Sequence, residues 1–287
     1  MRIRGAVGFA LLALASPERP PVRFAPGVIS TAHEYGVAFT ADGREVYFTR
    51  YSSAPRWTHV MHSVMRDGAW QAPAPVLFSG DGWADLDPFL SPDGLRLFFA
   101  STRRRPGAAS RAQPDMDIWY VDRAGEGWGS PHWIEELSSD GKEGSPTVDR
   151  AGNICFFSDR GSTPNHNAIY CAMRRGDRWD RPEKLNDSVN AGPSDTSPFL
   201  APDGNTLLFY SERDGGRGKA DLYISIRVNG EWRPPVNLGD AVNTGDSEYN
   251  PAVSPDGATL YFGRGGDIWT VPISELHVAW MSPARFR

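Results

Sequence analysis

The sequence predicts an all-β fold, a five-bladed β-propeller built from four-stranded antiparallel blades. Five similar segments carry this prediction, each with a turn glycine near its centre: Gly43, Gly94, Gly152, Gly204 and Gly257. The glycines are 51, 58, 52 and 53 residues apart, a period typical of propeller blades. The chain also contains 30 glycines and 24 prolines, more than the usual share. Because they are spread throughout and helical periodicity is absent, many short strands are favoured over a helix bundle.

Each repeat predicts four strands, named a to d in chain order. Strand a precedes the turn, which in three copies is Pro-Asp-Gly, a sequence suited to a tight hairpin with glycine at positive φ. Strand b has consecutive apolar residues, as at 207–210, which is typical of a strand covered on both faces. Strand c carries an Ile-Trp or Leu-Tyr pair. Strand d opens with a W-x-x-P element, and an edge strand tolerates the proline.

A single propeller domain is predicted over residues 16–287. Its blades are expected near 34–80, 81–141, 142–193, 194–246 and 247–287, with residues 21–33 added to the last blade. Pro21 precedes Glu34 by thirteen residues, as Pro235 precedes Glu248, within similar segments. This parallel predicts that the amino-terminal segment supplies a strand d to blade 5 and closes the ring. Trp280 starts another W-x-x-P element, so the sequence leaves open how the two ends share that edge.

The first fifteen residues have the pattern of a secretory signal peptide. Two arginines at positions 2 and 4 precede an apolar run over 5–15, which ends in the small-x-small triplet 13–15. The run is too short to span a bilayer as a helix. A membrane-proximal anchor or a buried first element are the alternatives. We expect export to the periplasm or the extracellular space, with no transmembrane span in the mature chain.

The charge balance excludes a generally basic nucleic-acid binder. The formal net charge is −5, and it falls to −7 when the two arginines of residues 1–15 are removed. Only two cysteines occur, Cys155 and Cys171. They lack metal-ligand spacing, and the repeat register places them opposite each other across one hairpin. In an exported protein this arrangement predicts one cross-strand disulfide.

Two strings carry a family resemblance: GEWRPPVNLGDAVNTGDSE and the following EYNPAVSPDGATLYFGRGGDIWTV. They closely resemble the WD40-like β-propeller repeats of TolB type found in exported bacterial proteins. The resemblance covers roughly 21–287, although blade 3 has D-R-A-G and blade 1 has T-A-D-G where the pattern has S-P-D-G. It implies a periplasmic or surface-exposed propeller that often acts through protein contacts. Function is less defined than fold, because propellers include both binding modules and hydrolases.

An acid and an arginine recur in every repeat. The acid lies three residues before the proline of strand a, or the valine that replaces it: Glu34, Asp85, Glu143, Asp195 and Glu248. The arginine lies at the other end of the a–b hairpin: Arg50, Arg103, Arg160, Arg213 and Arg264. The turn brings these two ends side by side. We therefore expect an acid and an arginine on the same face of each blade, with five carboxylates around one mouth of the central channel.

Three interpretations of this ring follow. Each acid and arginine can form an ion pair that orders the d–a connection, which repetition in every blade favours. Several carboxylates can hold a cation or a water cluster, and oxygen ligands suit calcium. A subset, Glu34, Asp85 and Glu143, can act as general acid and base in glycoside cleavage, which needs two carboxyls about 5–9.5 Å apart. No acid stands out from the repeat in that catalytic role.

The b–c loops open on the same face and differ most between blades, which is where recognition residues usually lie. Their candidate binding residues are Trp57, His59, Arg104, Arg105 and His166. Arginine combined with aromatic and amide groups suits an acidic protein, a peptide carboxylate or an acidic glycan. Ordinary solvated loops are the alternative interpretation.

The sequence therefore favours an exported, non-enzymatic propeller that binds a protein or peptide through the face carrying the d–a and b–c loops. The alternative is a carbohydrate-active enzyme that uses the channel carboxylates. No cofactor other than calcium is indicated, and no nucleic-acid partner is expected. No G-x-S-x-G elbow, phosphate loop or histidine metal spacing occurs. Five equivalent ion pairs would favour the binding module, whereas an isolated acid in a deep pocket would favour catalysis.

Overall fold

The a–b hairpin of every repeat is present in the computed structural model, which describes residues 19–53, 56–80, 82–107, 116–161, 166–278 and 281–286. All five turn glycines have a positive φ, between 67° and 83°. Each donates its amide hydrogen to the carbonyl three residues earlier, at 2.8–3.0 Å. Glycine adopts this conformation without steric cost, which explains why one glycine recurs in each repeat.

The strands of each blade pair antiparallel in chain order from the axis outward. Strand a runs over Glu34–Phe39, Asp85–Leu90, Glu143–Val148, Asp195–Leu200 and Glu248–Val253. Strand b runs over Glu45–Ser53, Arg96–Ser101, Ile154–Ser158, Thr206–Ser211 and Thr259–Arg264. Strand c runs over Arg56–Arg66, Asp117–Ala124, Ala168–Ala172 with Arg174–Arg175, Asp221–Val228 and Asp267–Pro272. Single 3-10 turns occur at Glu135–Leu137, Ile273–Glu275 and Pro283–Arg285.

Strand d is interrupted in blades 1 to 4. Its pieces are Ala69–Trp70 and Ala74–Pro75, Gly127–Trp128 and His132–Trp133, Arg178–Trp179 and Glu183–Lys184, and Glu231–Trp232 and Val236–Asn237. The W-x-x-P element therefore spans the break, with its tryptophan closing the first piece and its proline preceding the second. The tryptophans pack between blades: Trp128 lies 5.8 Å from Tyr47 of blade 1, and Trp179 lies 6.2 Å from Phe98 of blade 2.

The amino-terminal segment closes the ring, as predicted. Val22–Arg23 forms the outer strand of blade 5 and pairs with Thr270 and Trp269. The next residue, Phe24, is buried edge-to-face against aromatic rings of blades 1 and 5. Residues 281–286 contain a 3-10 turn where the sequence predicted a competing strand d, and Phe286 packs 6.4 Å from Phe199. Trp280 lies outside the described residues.

The apolar core of the described residues divides into five clusters, one between each pair of neighbouring blades. Strand b of blade 4 shows how consecutive apolar residues serve this arrangement. Leu207 and Phe209 are packed in the cluster shared with blade 3, whereas Leu208 is packed in the cluster shared with blade 5. All three side chains are fully buried. The five-bladed all-β prediction is thus confirmed.

Cys155 and Cys171 face each other in register on strands b and c of blade 3, with Cα atoms 4.1 Å apart, and are joined by a disulfide. The signal peptide predicted over residues 1–15 lies outside the described residues. Within the described ranges, no helix is long and apolar enough to cross a membrane.

Candidate functional site

Each recurring acid forms an ion pair with the arginine of its own blade. The nitrogen–oxygen distances are 2.6 Å for Arg50–Glu34, 2.7 Å for Arg103–Asp85, 3.1 Å for Arg160–Glu143, 3.0 Å for Arg213–Asp195 and 2.8 Å for Arg264–Glu248. The carboxylates are fully buried. Each guanidinium lies 5.0–5.5 Å from the centre of a phenylalanine ring of its own strand b. Hairpin pairing thus brings together the residues that the sequence predicted to be neighbours.

The pairs follow two different registers. In blades 1 and 5 the arginine lies directly opposite the acid, as Arg50 does for Glu34. In blades 2 to 4 a serine lies opposite the acid, as Ser101 does for Asp85, and the arginine comes two residues later. The serine hydroxyl accepts hydrogen bonds from the amide and Nε of that arginine, at 3.1 and 2.9 Å for Arg103. The serine therefore turns the arginine back onto the acid.

Each pair also anchors the d–a connection that precedes it. The guanidinium donates to a backbone carbonyl of that connection: Ile29, Phe78, Leu137, Val189 or Val242. In four blades the carboxylate accepts a backbone amide of the same connection: Thr31, Ser139, Gly192 or Thr244. Buried carboxylates held by several donors have few lone pairs left for a ligand or a proton.

Glu143 shows how opposing effects act on one of these acids. Burial raises the pKa of Glu143, while hydrogen bonds from Ser139 and Ser158 and the charge of Arg160 lower it. Burial likewise lowers the pKa of Arg103, and its contacts with Asp85 oppose this shift. Calcium binding at these carboxylates stays a prediction, and no group of three or more acids or histidines suited to a metal occurs among the described residues.

Exposed side chains lie directly above this ion-paired layer, on the face carrying the d–a and b–c loops, which we name the loop face. Trp83, in the d–a connection of blade 2, is 40% exposed, and Tyr51, at the end of strand b of blade 1, is 36% exposed. The Trp83 indole nitrogen donates to Asp85 at 3.1 Å, and its ring lies 5.2 Å from the Arg103 guanidinium. Tyr51 lies edge-to-face against His33 at 5.2 Å.

The predicted b–c loop residues fall into different environments. Arg104 and His166 are exposed, whereas Trp57 and His59 are half-buried with ring centres 4.8 Å apart. Arg105 binds Asp117 at 2.8 Å and donates to the Ser139 carbonyl, so it ties the b–c loop of blade 2 to the connection that leads into blade 3. Of the loop arginines at 104 and 105, only Arg104 therefore has an exposed side chain.

Sequence reasoning missed a second set of buried acids at the start of strand c: Asp117, Asp221 and Asp267. Asp221 accepts the amides of Arg217 and Gly218 at 2.7 and 3.0 Å, and Asp267 accepts the amide of Ala32 at 3.0 Å. These acids order the loops beside them. The recurring Asp-Ile-Trp and Asp-Leu-Tyr triplets could have revealed these acids, but the strand c prediction used only the apolar residues of each triplet.

Sequence reasoning also missed a ring on the propeller axis. One residue of strand a in each blade has a left-handed backbone, with φ between 47° and 59°: Gly36, Asp87, Ser145, Ser197 and Asn250. Each lies at a β-bulge, two residues after the recurring acid. Asp87 is the single carboxylate in this ring. Burial raises the pKa of Asp87, and hydrogen bonds from Ser145 and Asn250 oppose that shift.

A cavity on the opposite face occupies about 760 Å³ between blades 2 and 3, with Arg96, Arg150 and Arg174 beside Phe98 and Trp179. A second one, of about 210 Å³, lies at the axial mouth of that face and is lined partly by Phe286. The loop face is therefore characterised by exposed side chains rather than by either of these cavities.

Solved structures share this architecture. TolB from Acinetobacter baumannii aligns with a TM-score of 0.50 and 17% identity over 83% of this chain and 53% of its own. A protein described as TolB from Agrobacterium tumefaciens aligns with a TM-score of 0.52 and 16% identity over 80% and 69%. The chain has a TolB-like propeller fold. It spans about half the length of the Acinetobacter protein.

The propeller of this chain is also similar in structure to an enzyme. A thermostable family-43 glycoside hydrolase aligns with a TM-score of 0.56 and 12% identity over 86% of this chain and 91% of its own. No family model and no curated protein matches the sequence. Identities this low show the fold alone, and the fold is compatible with both binding and hydrolysis.

Proposed function

We propose that this chain is an exported, non-enzymatic binding module that engages a protein or peptide partner through the loop face. Export rests on the signal-peptide pattern of residues 1–15. The partner surface comprises the exposed Trp83, Tyr51, Arg104 and His166, with the half-buried Trp57 and His59 beside them. The five ion pairs under this surface hold the connections that carry it.

The attachment of Trp83 to the Asp85–Arg103 pair is the observation that carries the proposal. Its ring is 40% exposed although its indole nitrogen is bound at 3.1 Å to a fully buried carboxylate. Tryptophan, tyrosine and arginine supply most binding hot spots in protein interfaces. A side chain already held in one orientation loses little conformational entropy when a partner covers it. Trp83 has both properties.

Arg104 adds a charge preference to this surface. Arg104 follows Arg103 in the chain, and its side chain is exposed. The charge of Arg103 is neutralised by its ion pair with Asp85. An exposed guanidinium binds carboxylates through paired hydrogen bonds. We therefore expect the partner to present an acidic segment or a terminal carboxylate. An acidic glycan is the other ligand with this chemistry.

A carbohydrate-active enzyme is the second candidate, and one observation favours it. The glycoside hydrolase noted above shares the fold over most of both chains. Against it, the acids Glu34, Asp85 and Glu143 each bind an arginine. Glycoside cleavage needs a proton donor and a second carboxylate. These three acids already form structural ion pairs, which makes them poor candidates for either role.

Capture of a partner from the exported fraction tests the proposal. Immobilised wild-type protein should retain a discrete partner, and Trp83→Ala should weaken that complex roughly 30-fold, as a hot spot of about 2 kcal/mol requires. Arg104→Glu should weaken it as well. Arg150→Glu is the matched control, because Arg150 is an exposed arginine on the opposite face. Equal retention by Arg104→Glu, Trp83→Ala and wild type would contradict the proposal.

A panel of polysaccharides, assayed for new reducing ends, tests the second candidate. Release that disappears in Glu34→Ala, Asp85→Ala or Glu143→Ala variants that remain folded would establish the enzyme instead. Because these three acids are structural, each variant needs its unfolding temperature measured beside its activity. We expect no release by the wild-type protein.

A further inference from the structure

The propeller axis contains a small cavity beside the Asp87 carboxylate. It occupies about 30 Å³ and is lined by the five left-handed residues of strand a and the residues that follow them in each blade. Asp87 is 7% exposed, and Ser197, across the same cavity, is also 7% exposed. The space is about that of one or two water molecules. It is too small for a sugar ring or an amino-acid side chain.

The hydrogen-bond partners of Asp87 are all neutral. Its Oδ2 accepts the Ser145 amide at 3.1 Å and the Ser145 hydroxyl at 2.8 Å, and its Oδ1 accepts the Asn250 Nδ2 at 3.1 Å. These bonds join blade 2 to blades 3 and 5. By contrast, Asp85, two residues earlier in the same strand, faces a positive charge. Both of its carboxylate oxygens accept hydrogen bonds from the Arg103 guanidinium at 2.7 Å. In the described part of the chain, no lysine, arginine or histidine forms an ion pair with Asp87.

A buried carboxylate of this kind needs a positive charge or a proton. Three neutral hydrogen bonds lower the cost of burying the charge but do not cancel it. Ser197 offers a further oxygen, because its hydroxyl makes a long contact of 3.4 Å with the Thr196 hydroxyl. A carboxylate and a hydroxyl around a cavity of ionic size form an oxygen-lined cation site.

We propose that the axial cavity binds a monovalent alkali cation, K⁺ or Na⁺, against Asp87 and Ser197. One carboxylate balances one positive charge, whereas calcium sites usually combine several carboxylates with carbonyl oxygens. The described residues contain no cluster of three or more acids or histidines for a divalent ion. The bound cation would join blades 2 and 4 across the axis. This proposal is independent of the partner bound at the loop face.

Thermal unfolding in matched salts tests the proposal. The purified protein is unfolded in the chlorides of potassium, sodium and tetramethylammonium at equal ionic strength and pH 7.5. Tetramethylammonium is too large for the cavity. If the concentration of the bound cation is about a hundred times its dissociation constant, the wild-type Tm should be roughly 4–10 °C higher in that alkali salt than in tetramethylammonium chloride. Asp87→Asn should remove that difference, and Asp177→Asn, which alters a fully exposed acid, should retain it.

Thallium(I) supplies a second readout that needs no variant. A crystal grown in a thallium salt should give an anomalous peak at the axis beside Asp87. An axis without a peak, together with equal wild-type Tm values in the three salts, would overturn the proposal. A Tm that depends on pH but not on the cation would also overturn it, because a proton would then neutralise Asp87. If Asp87→Asn fails to fold, Ser197→Ala replaces it in the salt comparison.

Discussion

The Trp83 indole nitrogen donates a hydrogen bond to the Asp85 carboxylate, which the Arg103 guanidinium also binds. An exposed aromatic ring is thereby fixed to a buried ion pair. The carboxylate is fully buried, and the arginine in turn holds the Phe78 carbonyl of the connection that carries Trp83. The ion pair thus stabilises the fold and orients a surface residue. Among the described residues, no other recurring acid accepts a hydrogen bond from an aromatic side chain.

Loss of Arg103 should destabilise the fold far more than loss of its neighbour. Arg103→Gln leaves Asp85 as a buried charge with no cation, which costs about 3–5 kcal/mol in comparable cases. Arg104→Gln changes an exposed side chain and should alter the free energy of unfolding by about 0.5 kcal/mol or less. Urea unfolding at pH 7 compares the two. Similar losses in both variants would show that the ion pair contributes little.

The disulfide of blade 3 should be present in the exported protein and should stabilise it. Thiol titration of the unreduced, denatured protein is expected to detect no free cysteine. Cys155→Ala together with Cys171→Ala opens a loop with a sequence separation of 16 residues, so the free energy of unfolding should fall by roughly 3 kcal/mol. Two free thiols per chain would contradict the pairing.

Ring closure by the amino-terminal segment should depend on Phe24. Phe24→Ala removes a buried ring that packs against Phe39, Trp70 and Tyr261, so we expect a loss of about 3–5 kcal/mol. Val22→Ala, two residues away and 58% exposed, is the matched control and should be nearly neutral. Chemical unfolding measures both. A neutral Phe24→Ala would mean that blade 5 does not need this strand for stability.

Asp87 should make stability depend on pH in the opposite sense from an ion-paired acid. Its pKa is raised in the folded protein, mainly by burial, so the folded state binds the proton more tightly than the unfolded state does. Its contribution to stability is then full below the unfolded pKa of about 3.9 and is lost as pH rises through the folded pKa.

The difference in unfolding free energy between wild type and Asp87→Asn isolates this contribution. Measured in tetramethylammonium chloride from pH 4 to 8, wild type should lose stability relative to the variant as pH increases. Other acids titrate in both proteins and cancel in the difference. A difference that stays constant over this range would contradict the raised pKa.

The repeat fold and its ion pairs were predictable because they follow from local rules. A turn glycine every fifty or so residues marks the hairpins, and antiparallel pairing places Glu34 beside Arg50 whatever the rest of the fold does. The burial of Leu207, Leu208 and Phe209 follows from the position of strand b between two neighbouring blades. Ring closure was readable because the segment before Glu34 resembles the segment before Glu248.

The remaining features depend on contacts between blades, which the repeat pattern does not encode. Arg105 looked like a recognition residue, but it binds the Ser139 carbonyl in the connection between blades 2 and 3, and this contact exists only in the folded propeller. Asp87 looked like an ordinary residue before a proline, because a left-handed backbone at a non-glycine position has no clear sequence signal. Its axial position appears only when five strands are placed around one centre.

Site-specific photo-cross-linking tests the proposed binding face most directly. A photo-reactive phenylalanine analogue replaces Tyr51, an exposed aromatic residue of the loop face, and, in a second protein, Arg150 on the opposite face. After irradiation in cells, we expect position 51 to form a discrete covalent complex with one exported protein, and Trp83→Ala to reduce its yield strongly. Position 150 should form none. Adducts from position 150 alone would place the binding surface at the groove between blades 2 and 3 and contradict the account.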